Sequence, residues 1–232
     1  MHIGILQCGH TPAEVAEAHG DYDDLFHALF DGHGLNFETW NVVDMHFPES
    51  IDAAEGWLIT GSRHGAYDSL PFIAPLEDFI RAAHSAKKPM IGICFGHQIV
   101  AQALGGRVEK FSGGWQLGPK RYQTPEGREV TLNAWHQDQV ITAPKEARTT
   151  AQHPGCTHAA LTYGGHIHTI QPHPEIPDPV LATYLAARWG DAAYPPNLFP
   201  EVKAQMGGRT HEPETAASLA AFLKQAREGA QL

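Results

Sequence analysis

The chain has 232 residues, room for one large α/β domain, and its 42% hydrophobic content and mean hydropathy of −0.30 support a buried core rather than bulk disorder. Sixteen Lys and Arg against 26 Asp and Glu give a formal net charge of −10, which argues against the basic face that a nucleic-acid or anionic-membrane partner would require. No apolar run approaches the roughly 18 residues of a membrane span, MHIGILQCGH lacks the basic-then-apolar order of a signal peptide, and three cysteines make no disulfide framework in a chain this long, so a cytoplasmic protein is expected.

In chain order, the apolar run 2–7 reads as a first buried strand. A helix over 21–31 follows, with Leu25, Phe26, Leu29 and Phe30 on one face. Asp21, Asp23 and Asp24 lie in its first turn, where carboxylates complement the helix dipole. Strands are expected at 36–43 and 56–60. A helix at about 76–86 is introduced by Pro71 and Pro75 and closed by Lys87, Lys88 and Pro89. The short buried strand 89–93 leads into a helix at 95–104, ended by Gly105 and Gly106. Between 107 and 170 the texture changes to β-like runs at 128–132, 139–142 and 160–170, divided by Gly and Pro. Helices are expected again at 178–189 and 214–227. The Pro- and Gly-rich stretch 190–213 reads equally as a linker or as a loop packed on the domain. Short buried strands alternating with helices predict an α/β fold, a doubly wound and mostly parallel sheet with helices on both faces. Residues 1–190 are expected to form the domain, with 191–232 as a C-terminal loop and helix packed on it. Ligands of such sheets bind beyond the carboxyl ends of the strands.

Cys94 lies in Gly92-Ile93-Cys94-Phe95-Gly96, directly after one of those strands and before a helix. This is the strand–turn–helix setting of a nucleophile elbow, with cysteine in place of serine. The flanking glycines suit a turn too tight for side chains. The sulfur then stands near a helix N-terminus, where N–H groups stabilise negative charge, and the Phe95 amide points toward an oxyanion formed at a substrate carbonyl. The competing reading is a buried structural cysteine between glycines kept for packing. Cys8 and Cys156 have no such surroundings.

A cysteine nucleophile needs a base, and among 16 histidines one stands in Gln171-Pro172-His173-Pro174-Glu175. Each residue before a proline is held extended, and residues two apart on extended chain project to the same side. His173 and Glu175 are therefore disposed for the carboxylate to orient the imidazole, as the third member of a triad does. A rival is a zinc site made by His166, His168 and His173, but H-x-H arises readily by chance in so histidine-rich a chain. No metal and no cofactor is expected.

Taken together, GICFGHQ at 92–98 and QPHPE at 171–175 resemble the class I glutamine amidotransferase family, and the likeness runs over about residues 1–190. LITGS at 58–62 is similar to that family's Gly-rich strand end. Trp135-His136-Gln137-Asp138 is similar to its segment near the amino-acid end of the substrate. The resemblance implies a flavodoxin-like sheet with a small β-rich extension. It implies Cys94 as nucleophile, His173 as acid–base, Glu175 as its orienter, Gly61 and Phe95 as oxyanion-hole amides, and Gln98, His136 and Asp138 as substrate contacts. It also implies a small γ-glutamyl substrate, either glutamine or a γ-glutamyl amide. No P-loop and no synthetase-sized segment follow, so either a separate synthetase subunit takes the ammonia or hydrolysis is itself the purpose. The opening HGDYDDLF is similar to stand-alone relatives that include the plant γ-glutamyl peptidases, while SRHGAYD at 62–68 replaces the proline that many synthetase-linked members carry after the oxyanion glycine, a departure that speaks against specificity for glutamine alone. Two other classes stay open: a non-catalytic regulatory module, and a different cysteine chemistry on a related sheet.

Overall fold

The computed structural model describes residues 1–230. The chain opens with β1 (His2–Leu6), α1 (Ala13–His19), α2 (Tyr22–Leu29), β2 (Asn36–Trp40), β3 (Gly56–Ile59), α3 (Ile73–Ser85), β4 (Met90–Ile93) and α4 (Phe95–Ala103). It continues with β5 (Arg107–Lys110), β6 (Gln116–Gln123), β7 (Glu129–His136), β8 (Asp138–Thr142), β9 (Ala147–His153), β10 (Cys156–Tyr163) and β11 (Ile167–Ile170). Helices α5 (Asp178–Ala187), α6 (Leu198–Gln205) and α7 (Glu212–Ala230) complete it. None of the described helices is long and apolar enough to cross a membrane.

A nine-stranded sheet runs β2-β1-β3-β4-β11-β10-β9-β6-β7, beside a two-stranded β5-β8 ribbon. From β2 to β11 all neighbours are parallel, in the 2-1-3-4-5 order of flavodoxin-like sheets. The remaining pairings are antiparallel. The central strands β3 and β4 are buried at every residue, as strands covered on both faces must be. Alternation divides their side chains between two cores. Leu6, Trp57 and Ile59 pack with Leu76 and Ile80 of α3 and with Ile99 of α4. Ile3, Ile5, Leu58 and Ile91 pack on the other face with Phe26 of α2 and Leu219 and Leu223 of α7.

Some boundaries differ from the sequence expectation for identifiable reasons. The strand expected at 36–43 stops at Trp40, because Val42–Asp44 forms a 3-10 turn closed by Met45 in the left-handed region at φ 66°. The run 160–170 is two antiparallel strands, since Gly164 and Gly165 take φ 54° and 80° and reverse the chain. The stretch 190–213 contains α6, which packs on β6, where Val202 crowds against Gly118.

The entry to α2 follows the local rules. Asp21 and Asp24 form a reciprocal capping box, and Asp21 also accepts from Thr11 N at 2.9 Å and Gln7 Nε2 at 2.9 Å. Burial alone would raise the Asp21 pKa. His10, with the Thr11 and Tyr22 amides, outweighs burial and lowers it below the ordinary 3.8. Stability from this group is therefore present above the unfolded value and lost as pH falls through the folded one. We expect Asp21→Ala to cost about 1–2 kcal/mol at neutral pH, and thermal melts at neutral pH and near pH 3 should show the deficit shrinking in acid.

Candidate active site

The glycines around Cys94 let α4 begin almost on top of β3 and β4. A Cβ on Gly92 would stand 2.7 Å from the Gly96 carbonyl, and one on Gly96 would overlap the Ile59 carbonyl oxygen. Between them Cys94 takes φ 53° and ψ −103°, a conformation costing a non-glycine residue about 1–3 kcal/mol. It is held there because its amide donates to Ile170 O at 2.9 Å and its carbonyl accepts from Gln98 N at 3.0 Å. Cys94 is 5% exposed, on the lining of a cleft of about 670 Å³ at the carboxyl ends of the strands. Strand ends around the sheet's switch point supply the cleft walls: Gly9–Glu14 after β1, Ser62–Asp68 after β3, and Cys94 after β4.

β11 lies beside β4 in parallel register, Ile170 against Ile93, so the segment after it emerges at the same end as Cys94. That segment then crosses to β7, where His173 N donates to Asn133 O at 2.8 Å and Asn133 Nδ2 donates to Ile176 O at 2.9 Å. His173 Nδ1 is 2.6 Å from Glu175 Oε1, with the Glu175 side chain fully buried. As a carboxylate only accepts, Nδ1 carries the proton of that bond. His173 Nε2 has no geometric hydrogen-bond partner among the described residues. Burial pushes the imidazolium down, but the Glu175 carboxylate first, then Cys94, outweigh it and hold the His173 pKa well above its ordinary value.

A Cβ on Gly61 would lie 3.2 Å from His173 Cε1 and 3.9 Å from Cys94 Cβ, which places that backbone directly against both side chains. The amides of Gly61 and Phe95 donate to no carbonyl among the described residues. Gln98 lines the cleft with its Nε2 engaged, donating to Asp138 O at 2.8 Å and Gln171 Oε1 at 3.2 Å. Asp138 lines it too, its pKa raised by burial and countered by the Tyr67 hydroxyl and Lys110. His136 is buried with both ring nitrogens unpartnered among the described residues, and burial lowers its pKa to about 3, so the ring is neutral at neutral pH.

The other candidates lie elsewhere. His97 is buried with Nδ1 2.8 Å from Thr169 Oγ1. His166 pairs with His84 at 3.0 Å and His168 meets the edge of Phe222, so neither converges on His173. Burial pushes the Cys8 thiol far up and the Cys156 thiol to about 12.

The Glutamine amidotransferase class-I family profile matches residues 39–182. The chain belongs to the class I glutamine amidotransferase family. Gamma-glutamyl peptidase 4 of Arabidopsis thaliana is 33% identical over 174 residues, covering 68% of this chain and 69% of the relative. A glutamine-hydrolyzing GMP synthase subunit of Methanopyrus kandleri is 29% identical over 180 residues, covering 70% and 88%. A glutamine amidotransferase from Thermotoga maritima superposes with a TM-score of 0.73 over 98% of this chain and 99% of that one, at 18% identity, and so shares the fold.

In this amidotransferase-family chain, sequence reasoning misses several cleft residues. Tyr22 is buried at the first turn of α2, its Cε1 3.7 Å from where a Gly61 Cβ would be. Burial, then Tyr184, Cys94 and Glu175, raise its pKa. Tyr184, Arg188 and Tyr194 also line the cleft. Their signal in the sequence is weak, because α5 reads as an ordinary covering helix and 190–213 as linker or loop.

Proposed function

We propose that this chain hydrolyses a γ-glutamyl amide through a thioester on Cys94. The observation that carries the reading is a strained elbow cysteine beside a histidine whose far nitrogen is held by a buried carboxylate at 2.6 Å. The Cys94 thiol proton passes to His173 Nε2, which its raised pKa keeps protonated, and the sulfur then attacks the γ-carbonyl carbon. The oxyanion is received by the Gly61 and Phe95 amides. His173 protonates the departing nitrogen, the C–N bond breaks, and a γ-glutamyl thioester remains. His173 then takes a proton from water, which attacks the thioester, and C–S cleavage releases glutamate and restores the thiol. Asp138 takes the substrate α-ammonium. Gln98 and neutral His136 shape the glutamyl pocket, with Gln98 also fixing the Asp138 backbone.

Two forms of this chemistry differ in what leaves. The likeness to a γ-glutamyl peptidase supports a stand-alone hydrolase releasing an amine. The likeness to a synthase subunit supports release of ammonia to a separate partner. Glutamate release from glutamine, glutathione and γ-glutamyl alkylamides separates them: turnover of glutamine alone favours the ammonia-supplying form, and preference for larger amides favours the hydrolase. Intact Cys94, His173 and Glu175 speak against a non-catalytic module.

Glu175→Gln tests the orienting role. We expect kcat to fall by roughly 10²- to 10⁴-fold, because the amide neither fixes the tautomer nor balances the imidazolium. Glu175 is the largest influence raising His173, so the alkaline limb of the pH–rate profile should move to lower pH. An unchanged limb would remove Glu175 from the mechanism.

A further inference from the structure

The side of the cleft that receives the leaving amine is defined by His173, which must deliver its proton. This deepens the γ-glutamyl hydrolase reading and rests on it. Gln98 and Asp138 adjoin each other on the glutamyl flank. On the His173 flank, Tyr184 lies within electrostatic reach of Glu175 and Tyr22. Trp135 lies over Tyr184 with centroids 5.3 Å apart, and Tyr194 stands 5.8 Å from Trp135 and 4.5 Å from Trp115. Both indole N–H groups point into protein partners: Trp135 Nε1 donates to Tyr194 Oη at 3.2 Å and Trp115 Nε1 to Ala193 O at 3.0 Å. This wall therefore offers aromatic faces and few donors. Tyr184 comes from α5 and Tyr194 from the stretch after it, whereas Trp135 belongs to β7 and Trp115 immediately precedes β6.

One cation stands on that wall. Arg188, one turn beyond Tyr184, is half-buried, lines the cleft, and acts electrostatically on Tyr184 and Tyr194. Among the described residues it makes no ion pair within 4 Å, although the chain carries an excess of acids. Ammonia would leave the whole wall unused, and a cationic amine would be repelled. A neutral amine would desolvate the guanidinium without pairing it.

We propose that Arg188 selects the leaving group by its carboxylate, the leaving group being an amino acid whose side chain lies against Trp115, Trp135 and Tyr194. The reaction is then γ-glutamyl–amino acid plus water giving glutamate and the free amino acid, with Arg188 as the residue that selects a carboxylate.

The test compares kcat/KM of the full chain for γ-glutamyl-tyrosine, γ-glutamyl-tyrosinamide and glutamine, in wild type, Arg188→Ala and Arg188→Lys. A charge-assisted bidentate pair predicts a preference for the free acid over the amide of about 10- to 100-fold. Arg188→Ala should bring that ratio close to one, chiefly through KM, and Arg188→Lys should retain part of it. The acid-to-amide ratio is taken within each preparation, so loss of folded enzyme cancels from it, and turnover of glutamine alone in wild type also overturns the inference. Equal rates for acid and amide in wild type, or an unchanged ratio in Arg188→Ala, overturn the inference while leaving the Cys94 chemistry standing. No glutamate from any of the three substrates with wild type overturns the hydrolase reading and this inference with it.

Discussion

Cys94→Ala should lose glutamate release from every γ-glutamyl amide, by on the order of 10⁵- to 10⁶-fold, as removal of a covalent nucleophile does. Cys8→Ala and Cys156→Ala should keep it, since burial raises the pKa of both thiols. A γ-glutamyl electrophile should add one equivalent to wild type and none to Cys94→Ala, as read by intact mass. The loss should not be a folding defect, because alanine inherits the φ of 53° that cysteine already tolerates. Cys94→Gly sharpens the point. Glycine relieves the strain at this φ, so the variant should be equally inactive yet at least as heat-stable as wild type. Full activity in either variant would end the thioester mechanism.

Gly96→Ala should produce the largest single loss of stability. In an ordinary first helical turn the exchange would gain up to about 1 kcal/mol. Here the new Cβ would overlap the Ile59 carbonyl oxygen, a backbone atom of a buried central strand that has no room to withdraw. The same approach holds the Gly96 amide on Thr60 O at 3.1 Å, so moving α4 outward also lengthens a buried hydrogen bond. Overpacking of this kind costs about 3 kcal/mol or more, which in a chain of this size lowers Tm by roughly 6–12 °C. The elbow would shift with the helix, so activity should fall alongside. Gly208→Ala is the control: its Cβ meets nothing within 4 Å and should be neutral in both melts and rates. An unperturbed Gly96→Ala would mean that the helix does not need its close seat on β3.

The parts of this protein readable from sequence are those set by short-range sterics and periodicity. The strand–helix alternation is local, since buried runs such as GWLI and MIGI and amphipathic stretches such as 73–85 carry their pattern within a dozen residues. The elbow is local too, because two glycines four apart are what a strand must have to turn into a helix at such close range. So is the pairing of His173 with Glu175, which the flanking prolines hold extended so that both side chains face one way. What only the tertiary structure decided is which distant segments meet. That β11 pairs with β4, bringing His173 to Cys94, depends on a neighbour far along the chain that leaves no mark in the local pattern. The division of 160–170 into two strands depended on two adjacent glycines turning to positive φ. The stretch 190–213 carried no periodicity that could show it building an aromatic wall, because Tyr194 joins the cleft only by packing beside Trp115, just before β6, and Trp135 of β7. Short-range geometry wrote the turn at Cys94 and the His173–Glu175 pair into the sequence, whereas the joining of the two, and the cleft around them, came from long-range packing.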